Sequence, residues 1–280
     1  MKVNVAHYGG FCFGVKRAID IALKTASAEA TVCMLGDIVH NEEVIKQIGS
    51  AGIKRIKRLG AGERKTLLLS AHGTGTAIID NARRRGYKIV DATCPMVKGI
   101  HKIAKKMEDA GHTIIIIGDR DHDEVHGIMG QLKTRPIVID HVHTIPRRRI
   151  SKIRKAAVVV QSTQNADNVF KIIDVIKHHI PDLKIFNTIC RPTRTRQAEM
   201  RTMPLKNDVM IIIGSRNSAN TQRLCQIAKS LNSRTYCIAS REDIKPEWFA
   251  GARSVGVASG ASTPDVIINE IVEYLRQLNK

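Results

Sequence analysis

The sequence predicts an α/β fold of three pseudo-threefold-related lobes, each built on a mostly parallel sheet. Three observations predict it. Three apolar segments end in glycine, TVCMLG (31–36), HTIIIIG (112–118) and VMIIIG (209–214), and each glycine lies 24 residues after a cysteine: Cys12, Cys94 or Cys190. A second segment in each stretch ends in small polar residues: TLLLSAHG (66–73), AVVVQST (157–163) and VGVASGAS (255–262). A third runs into each cysteine: YKIVDATC (87–94), LKIFNTIC (183–190) and, from the chain start, KVNVAHYGGFC (2–12). Self-similarity at a fixed period marks repeated supersecondary units.

The segment before Cys12 supplies the strand that the C-terminal stretch lacks, so the repeat closes circularly. This divides the chain into lobes 13–94, 95–187 and 188–280, the last completed by residues 1–12. Four residues past each glycine stands a polar side chain, His40, His122 or Ser218, and a helical pattern follows. The third pattern is clearest, with Leu224, Ile227, Ala228 and Leu231 on one face. Thr263-Pro264-Asp265 reads as N-cap, N1 proline and first-turn acid of a last helix. Pro204 predicts that the helix after Cys190 is short or bent. Strands alternating with helices imply parallel sheets whose functional groups gather at the carboxyl ends of the strands. Three such lobes would aim three thiols at one central point, ringed by helix N-termini that favour anions.

Composition bounds the function. A chain of 280 residues with 43% hydrophobic content buries a sizeable core. No apolar run approaches the roughly 20 residues of a membrane span. The start, MKVNVAHYGGFCFG, lacks the apolar stretch of a secretory leader, which predicts a cytoplasmic protein. Six scattered cysteines without a CxxC pair do not read as a disulfide framework. The net charge of +19 is concentrated at 54–65, 82–88, 145–155 and 191–201. Aromatics at 4% leave few platforms for base stacking, so the basic faces read as solvated surface attractive to acidic partners.

Three convergent thiolates suit an iron–sulfur cluster or zinc. A closed structural site takes four ligands, and three leave one metal position open, which points to catalysis. Helix N-termini would lower the thiol pKa values and favour the ligating thiolate. Cys33, Cys225 and Cys237, within a strand, a helix and a strand, read as inert buried thiols. His40, His72 and His122 recur at matched strand tips, with Asn41, Ser218, Asn220 and Ser262 nearby. Together they can form an anion cage, or they cap the helices that they precede. Glu124 is the candidate general acid, its carboxyl held protonated by enclosure; a first-turn glutamate stabilised by the helix dipole is the other reading. Ser162 and Thr163 occupy the remaining strand tip, where they could position or relay that proton.

At these residues the chain resembles the 4-hydroxy-3-methylbut-2-enyl diphosphate reductases, which act last in the non-mevalonate isoprenoid pathway. The segments that carry the resemblance are GFCFGVKRA (10–18), IVHN (38–41), SAHG (70–73), DATCPMV (91–97), HDEV (122–125), QST (161–163), TIC (188–190), GSRNSAN (214–220) and GASTPD (260–265). The resemblance implies one [4Fe–4S] cluster on Cys12, Cys94 and Cys190, whose open iron takes the allylic hydroxyl of the substrate. It places His40, His72, His122, Ser218, Ala219, Asn220 and Ser262 at the diphosphate pocket, with alanine at 219 where the family often has a serine. Glu124 matches the proton donor, and either Ser162 or Thr163 the family's threonine. Asp123 stands where the family commonly has proline, and Arg191-Pro192-Thr193 is unusual after the third cysteine. The implied electron donor is a ferredoxin or flavodoxin; no GxGxxG fingerprint follows a strand to suggest a nicotinamide or flavin site. The competing classes are a basic nucleic-acid-binding protein with a three-cysteine zinc site, and a redox sensor that keeps the cluster without catalysis.

Overall fold

The computed structural model describes residues 1–278, and its strands form three four-stranded sheets. The first sheet has the order β3 (Lys54–Ile56), β2 (Val32–Leu35), β4 (Thr66–Leu69), β5 (Lys88–Asp91). The second has the order β7 (Ile137–Ile139), β6 (Thr113–Ile117), β8 (Lys155–Val160), β9 (Asp182–Phe186). The third runs β11 (Thr235–Ile238), β10 (Val209–Ile213), β12 (Ser254–Ser259), β1 (Lys2–Val5). All pairings are parallel. The three orders are the same once β1 counts as the fourth strand of its sheet. Its register, Lys2 opposite Ser254 through Val5 opposite Val257, is the circular closure expected from the repeat.

Parallel neighbours need crossovers, and helices supply most of them. They are α1 (Phe13–Ala28), α2 (Glu42–Ser50), α3 (Thr76–Arg84), α4 (Pro95–Asp109), α5 (Asp123–Met129), the short α6 (Arg147–Ile150), α7 (Ala166–Ile176), α8 (Arg191–Met200), α9 (Ala219–Leu231) and α10 (Asp265–Gln277). No helix is long and apolar enough to cross a membrane among the described residues.

The second sheet explains why its strands read as unbroken apolar runs. Ile115, Ile117, Val158 and Val160 pack with Val169, Ile172 and Ile176 of α7. The alternate residues Ile114, Ile116, Ala157 and Val159 pack with Ile100, Ala104 and Met107 of α4 and with Val125 and Ile128 of α5. Both faces are covered, so residues 114–117 and 156–160 are all buried, at about 1.5–3 kcal/mol for each large aliphatic side chain.

The chain divides into two compact units. One comprises Met1–Lys16, Val39–Lys46 and the chain from Arg191; it holds the third sheet. The other comprises Arg17–Ile38 and Gln47–Cys190 and holds the first two. Inside this second unit the segments after β4 and α5 touch closely. Thr76 donates its N–H to the Gly130 carbonyl at 3.0 Å, and a Cβ on Gly75 would lie 2.8 Å from the Gly130 Cα. Only glycine fits there.

Several local expectations are modified. α10 begins at Asp265 with Pro264 as its N-cap, and Thr263 instead donates its hydroxyl to the Ile213 carbonyl at 3.1 Å. Helix α8 is indeed short, ending at Met200, and Pro204 lies in a following 3₁₀ turn, Met203–Lys206. Leu231, the last residue of α9, is exposed instead of lying on the buried face. Cys225 and Cys237 are not inert thiols but a disulfide, their Cα atoms 6.1 Å apart. Packing of α9 against β11 brings them together, and no sequence period relates a helix position to an edge strand.

Candidate active site

Each of the three repeat cysteines sits where a strand gives way to a helix. Cys94 is the N-cap of α4, followed by Pro95, while Cys12 and Cys190 immediately precede α1 and α8. All three are partly exposed and outside the disulfide. Each backbone N–H makes the same bond: Cys12 to the Ala261 carbonyl, Cys94 to Ala71 and Cys190 to Ser162, all at 3.0 Å. Those acceptors each lie two residues past the end of β12, β4 and β8, so the three thiols occupy equivalent positions in their sheets. The Cys12 sulfur also accepts the Val15 N–H of the first turn of α1 at 3.5 Å. Three non-disulfide thiols at equivalent strand-to-helix positions are a donor set that fits an iron–sulfur cluster.

The second unit gathers the acid–base groups. Glu124 lies in the first turn of α5 and is 2% exposed. Its Oε1 accepts the Ser162 N–H at 2.6 Å, and its Oε2 accepts the Ser162 hydroxyl at 2.7 Å. Burial pushes the Glu124 carboxyl up to about 7, against the opposing effect of both Ser162 bonds and with a smaller push from Asp119. At neutral pH such a group holds its proton in a good fraction of molecules and can donate it. Ser162, not Thr163, is therefore the hydroxyl in contact with the acid. The Thr163 hydroxyl instead accepts the Gln161 amide at 3.0 Å. His122 caps α5, its Nδ1 accepting the Glu124 N–H at 3.1 Å, so its proton belongs on Nε2. His72 stacks edge-on to His122 with ring centres 5.5 Å apart, and its Nδ1 lies 3.9 Å from Asp123 Oδ2. The residue that departs from the family's proline thus faces one of the predicted anion-binding histidines.

The first unit holds His40, Ser218, Ala219, Asn220 and Ser262. Ser262 donates its hydroxyl to the His40 carbonyl at 3.2 Å. Ser218 caps α9, accepting the Thr221 N–H at 3.4 Å, and Asn41 caps α2 through the N–H groups of Glu43 and Val44. The capping reading therefore holds for both. Asn220 is different: it is 4% exposed, yet neither its Oδ1 nor its Nδ2 has a hydrogen-bond partner among the described residues. An orphaned buried amide is costly and is expected where a ligand completes the bonding.

A family model described as LytB protein matches residues 3–276. The chain belongs to the LytB protein family. The relatives of this LytB chain include 4-hydroxy-3-methylbut-2-enyl diphosphate reductases of Geobacter metallireducens, 36% identical over 279 residues, and of Aquifex aeolicus, 34% identical over 282. The alignments cover 100% and 99% of this chain and 98% and 97% of those proteins. Among solved structures, one of (E)-4-hydroxy-3-methyl-but-2-enyl diphosphate reductase, the terminal enzyme of the non-mevalonate pathway, superposes with a TM-score of 0.72 at 34% identity, over 99% of this chain and 100% of that one. The Plasmodium falciparum reductase gives a TM-score of 0.89 at 25% identity, over 98% of this chain and 87% of that one.

Sequence reasoning missed a set of side chains that hold this LytB chain's first cysteine loop. Arg196 of α8, 6% exposed, donates to the carbonyls of Gly9 at 3.3 Å and Gly10 at 2.8 Å. Glu199 of the same helix accepts the N–H groups of His7 at 2.6 Å and Tyr8 at 3.3 Å. Gly10 turns with φ +70°, and a Cβ there would lie 2.1 Å from Asp265 Oδ1. Thr193, Arg196, Gln197 and Met200 form the buried stripe of α8, so polar residues stand on its inner face.

Proposed function

We propose that this chain reduces (E)-4-hydroxy-3-methylbut-2-enyl diphosphate to isopentenyl and dimethylallyl diphosphates in the cytoplasm. Two electrons and two protons replace the allylic hydroxyl, which leaves as water. Cys12, Cys94 and Cys190 hold one [4Fe–4S] cluster with a fourth iron position open, supported by their identical backbone environments. When bound, the cluster supplies the electrons and a Lewis-acidic iron. The lobes 13–94, 95–187 and 188–280 with 1–12 each carry one of the three sheets, which supports that division.

The protein's own groups bind, orient and protonate. His40, His72, His122, Ser218, Asn220 and Ser262 hold the diphosphate, with Asn220 gaining the partners that it lacks in the protein alone. Ala219 leaves that contact one hydroxyl short. Glu124 delivers the proton to the departing hydroxyl, and Ser162 fixes both carboxyl oxygens so that the acid points one way. His122 ties the same residue to the helix start through its Nδ1. Electrons come from an acidic ferredoxin or flavodoxin, whose approach is favoured by the exposed Arg191 and Arg194 in the first turn of α8, next to Cys190.

The observation that carries this reading is the buried Glu124 carboxyl, its pKa near 7 and both oxygens anchored on Ser162. The test is anaerobic purification followed by turnover with the hydroxylated diphosphate and a reduced carrier. Brown protein with iron and sulfide that turns over, and a Glu124→Gln variant equally brown but at least about 100-fold slower, are expected. Colourless protein containing zinc, or normal turnover in the variant, overturns the reading.

A further inference from the structure

The Cys225–Cys237 disulfide ties α9 to the edge strand β11. Cys225 is buried on the inner side of α9, packed with Met210, Ile212, Leu224 and Ala258. Cys237 is partly exposed and lines a cavity of about 430 Å³. Arg216, Lys229 and Lys245 also line it, against the two carboxylates Glu242 and Asp243. Asp243 pairs with Arg216 at 3.6 Å and accepts the Ala239 N–H at 2.7 Å, which leaves Lys229 and Lys245 against Glu242. The cavity thus offers a small molecule a partly exposed cysteine, beside which two lysines face one carboxylate.

We infer that the Cys225–Cys237 pair is a reversible thiol–disulfide exchange site that takes small anionic thiols and fastens α9 to β11 only when oxidised. A thiolate entering the cavity attacks the Cys237 sulfur. The S–S bond breaks, and its electron pair leaves on the Cys225 sulfur, which takes a proton. A second thiolate then attacks the external sulfur of the mixed disulfide and releases Cys237, which is protonated in turn. Two small thiols are oxidised to one disulfide, and the protein pair gains two electrons and two protons. Positive charge around Cys237 attracts the anionic thiol and favours the thiolate that must leave in the second step. The apolar packing around Cys225 keeps its sulfur out of reach, so the mixed disulfide forms at Cys237 alone.

The test uses the anaerobic holoprotein and two thiols of similar size and opposite charge, thioglycolate and cysteamine. Peptide mapping of unreduced protein is expected to return residues 225 and 237 in one linked fragment. Thioglycolate is expected to form the mixed disulfide at Cys237 at least about threefold faster than cysteamine, and a Lys229→Gln/Lys245→Gln variant to lose or reverse that preference. Trp248, the chain's one tryptophan, lines the same cavity and gives a fluorescence readout of the exchange. After full reduction, amide exchange in α9 is expected to rise about tenfold while that of α10 stays unchanged. Unlinked peptides in the parent, equal rates for the two thiols, a preference that survives in the variant, or unchanged exchange in α9 would each overturn the inference, and none of these readouts depends on turnover.

Discussion

Replacing Glu124 with Gln should change the pH dependence of stability as well as the rate. The folded carboxyl titrates near 7, against an ordinary value of 4.5, because burial penalises its charge. A folded pKa above the unfolded one means that the proton favours the native state. That contribution is complete below about pH 4.5 and is lost as pH rises through about 7. The gap is worth about 3 kcal/mol at roughly 1.4 kcal/mol per pH unit. Glutamine reproduces the neutral form: its Oε1 can accept the Ser162 N–H and its Nε2 can donate to the Ser162 hydroxyl. The variant should therefore match the parent at pH 4.5 and become more stable by up to about 3 kcal/mol at pH 8. Urea unfolding under anaerobic conditions, followed by Trp248 fluorescence, measures both curves. Parallel curves across that range would refute the raised pKa, and with it the supply of acid at neutral pH. In catalysis the sign is the same: about half of the Glu124 carboxyls hold a proton at pH 7, against roughly 0.3% of ordinary glutamates.

Cys12→Ser, Cys94→Ser and Cys190→Ser should each lose most bound iron and all turnover, while Cys33→Ser, altering a thiol within β2, should keep both; iron and sulfide assays decide. Asn220→Ala removes a buried amide without partners, so the ligand-free protein should melt no lower than the parent while KM for the diphosphate rises about tenfold or more. Arg196→Met should release the loop before Cys12, seen as faster alkylation of Cys12 than of Cys94 in metal-free protein, at a stability cost of about 1–3 kcal/mol, with partial rescue by Arg196→Lys.

The sequence made the central strands legible because they are buried on both faces and read as apolar runs, such as Thr113–Ile117 and Val209–Ile213. It did not reveal the edge strands β3 and β7. Lys54–Ile56 lies inside a basic run and is mostly exposed, and Ile137–Ile139 has only three residues. The cysteines stood out because repeat position constrains them, and Glu124 because it follows the repeat-placed His122 by two residues. Choosing between Ser162 and Thr163 needed coordinates, since adjacent residues at a strand tip point apart and no pattern says which meets the acid. Arg196 and Glu199 escaped for a different reason: they bond to backbone atoms of residues 7–10, and backbone partners leave no trace in the sequence.

The strand that ends in small polar residues and the strand that runs into a cysteine are neighbours in every sheet: β4 with β5, β8 with β9, β12 with β1. Their ladder continues past the sheet. Ala92 donates to the Leu69 carbonyl and Cys94 to that of Ala71, so the thiol is carried on a backbone still in register with the polar tip. Near Cys190 the Thr188 hydroxyl replaces one ladder acceptor, taking the Val160 N–H at 2.8 Å, and the bond from Cys190 to Ser162 survives. Each cysteine backbone is therefore fixed to a tip residue, Ala71, Ser162 or Ala261, and the residue after it, His72, Thr163 or Ser262, can differ in chemistry without breaking that bond. A repeated backbone device can in this way keep three thiols in equivalent positions while each lobe varies the side chains at its tip.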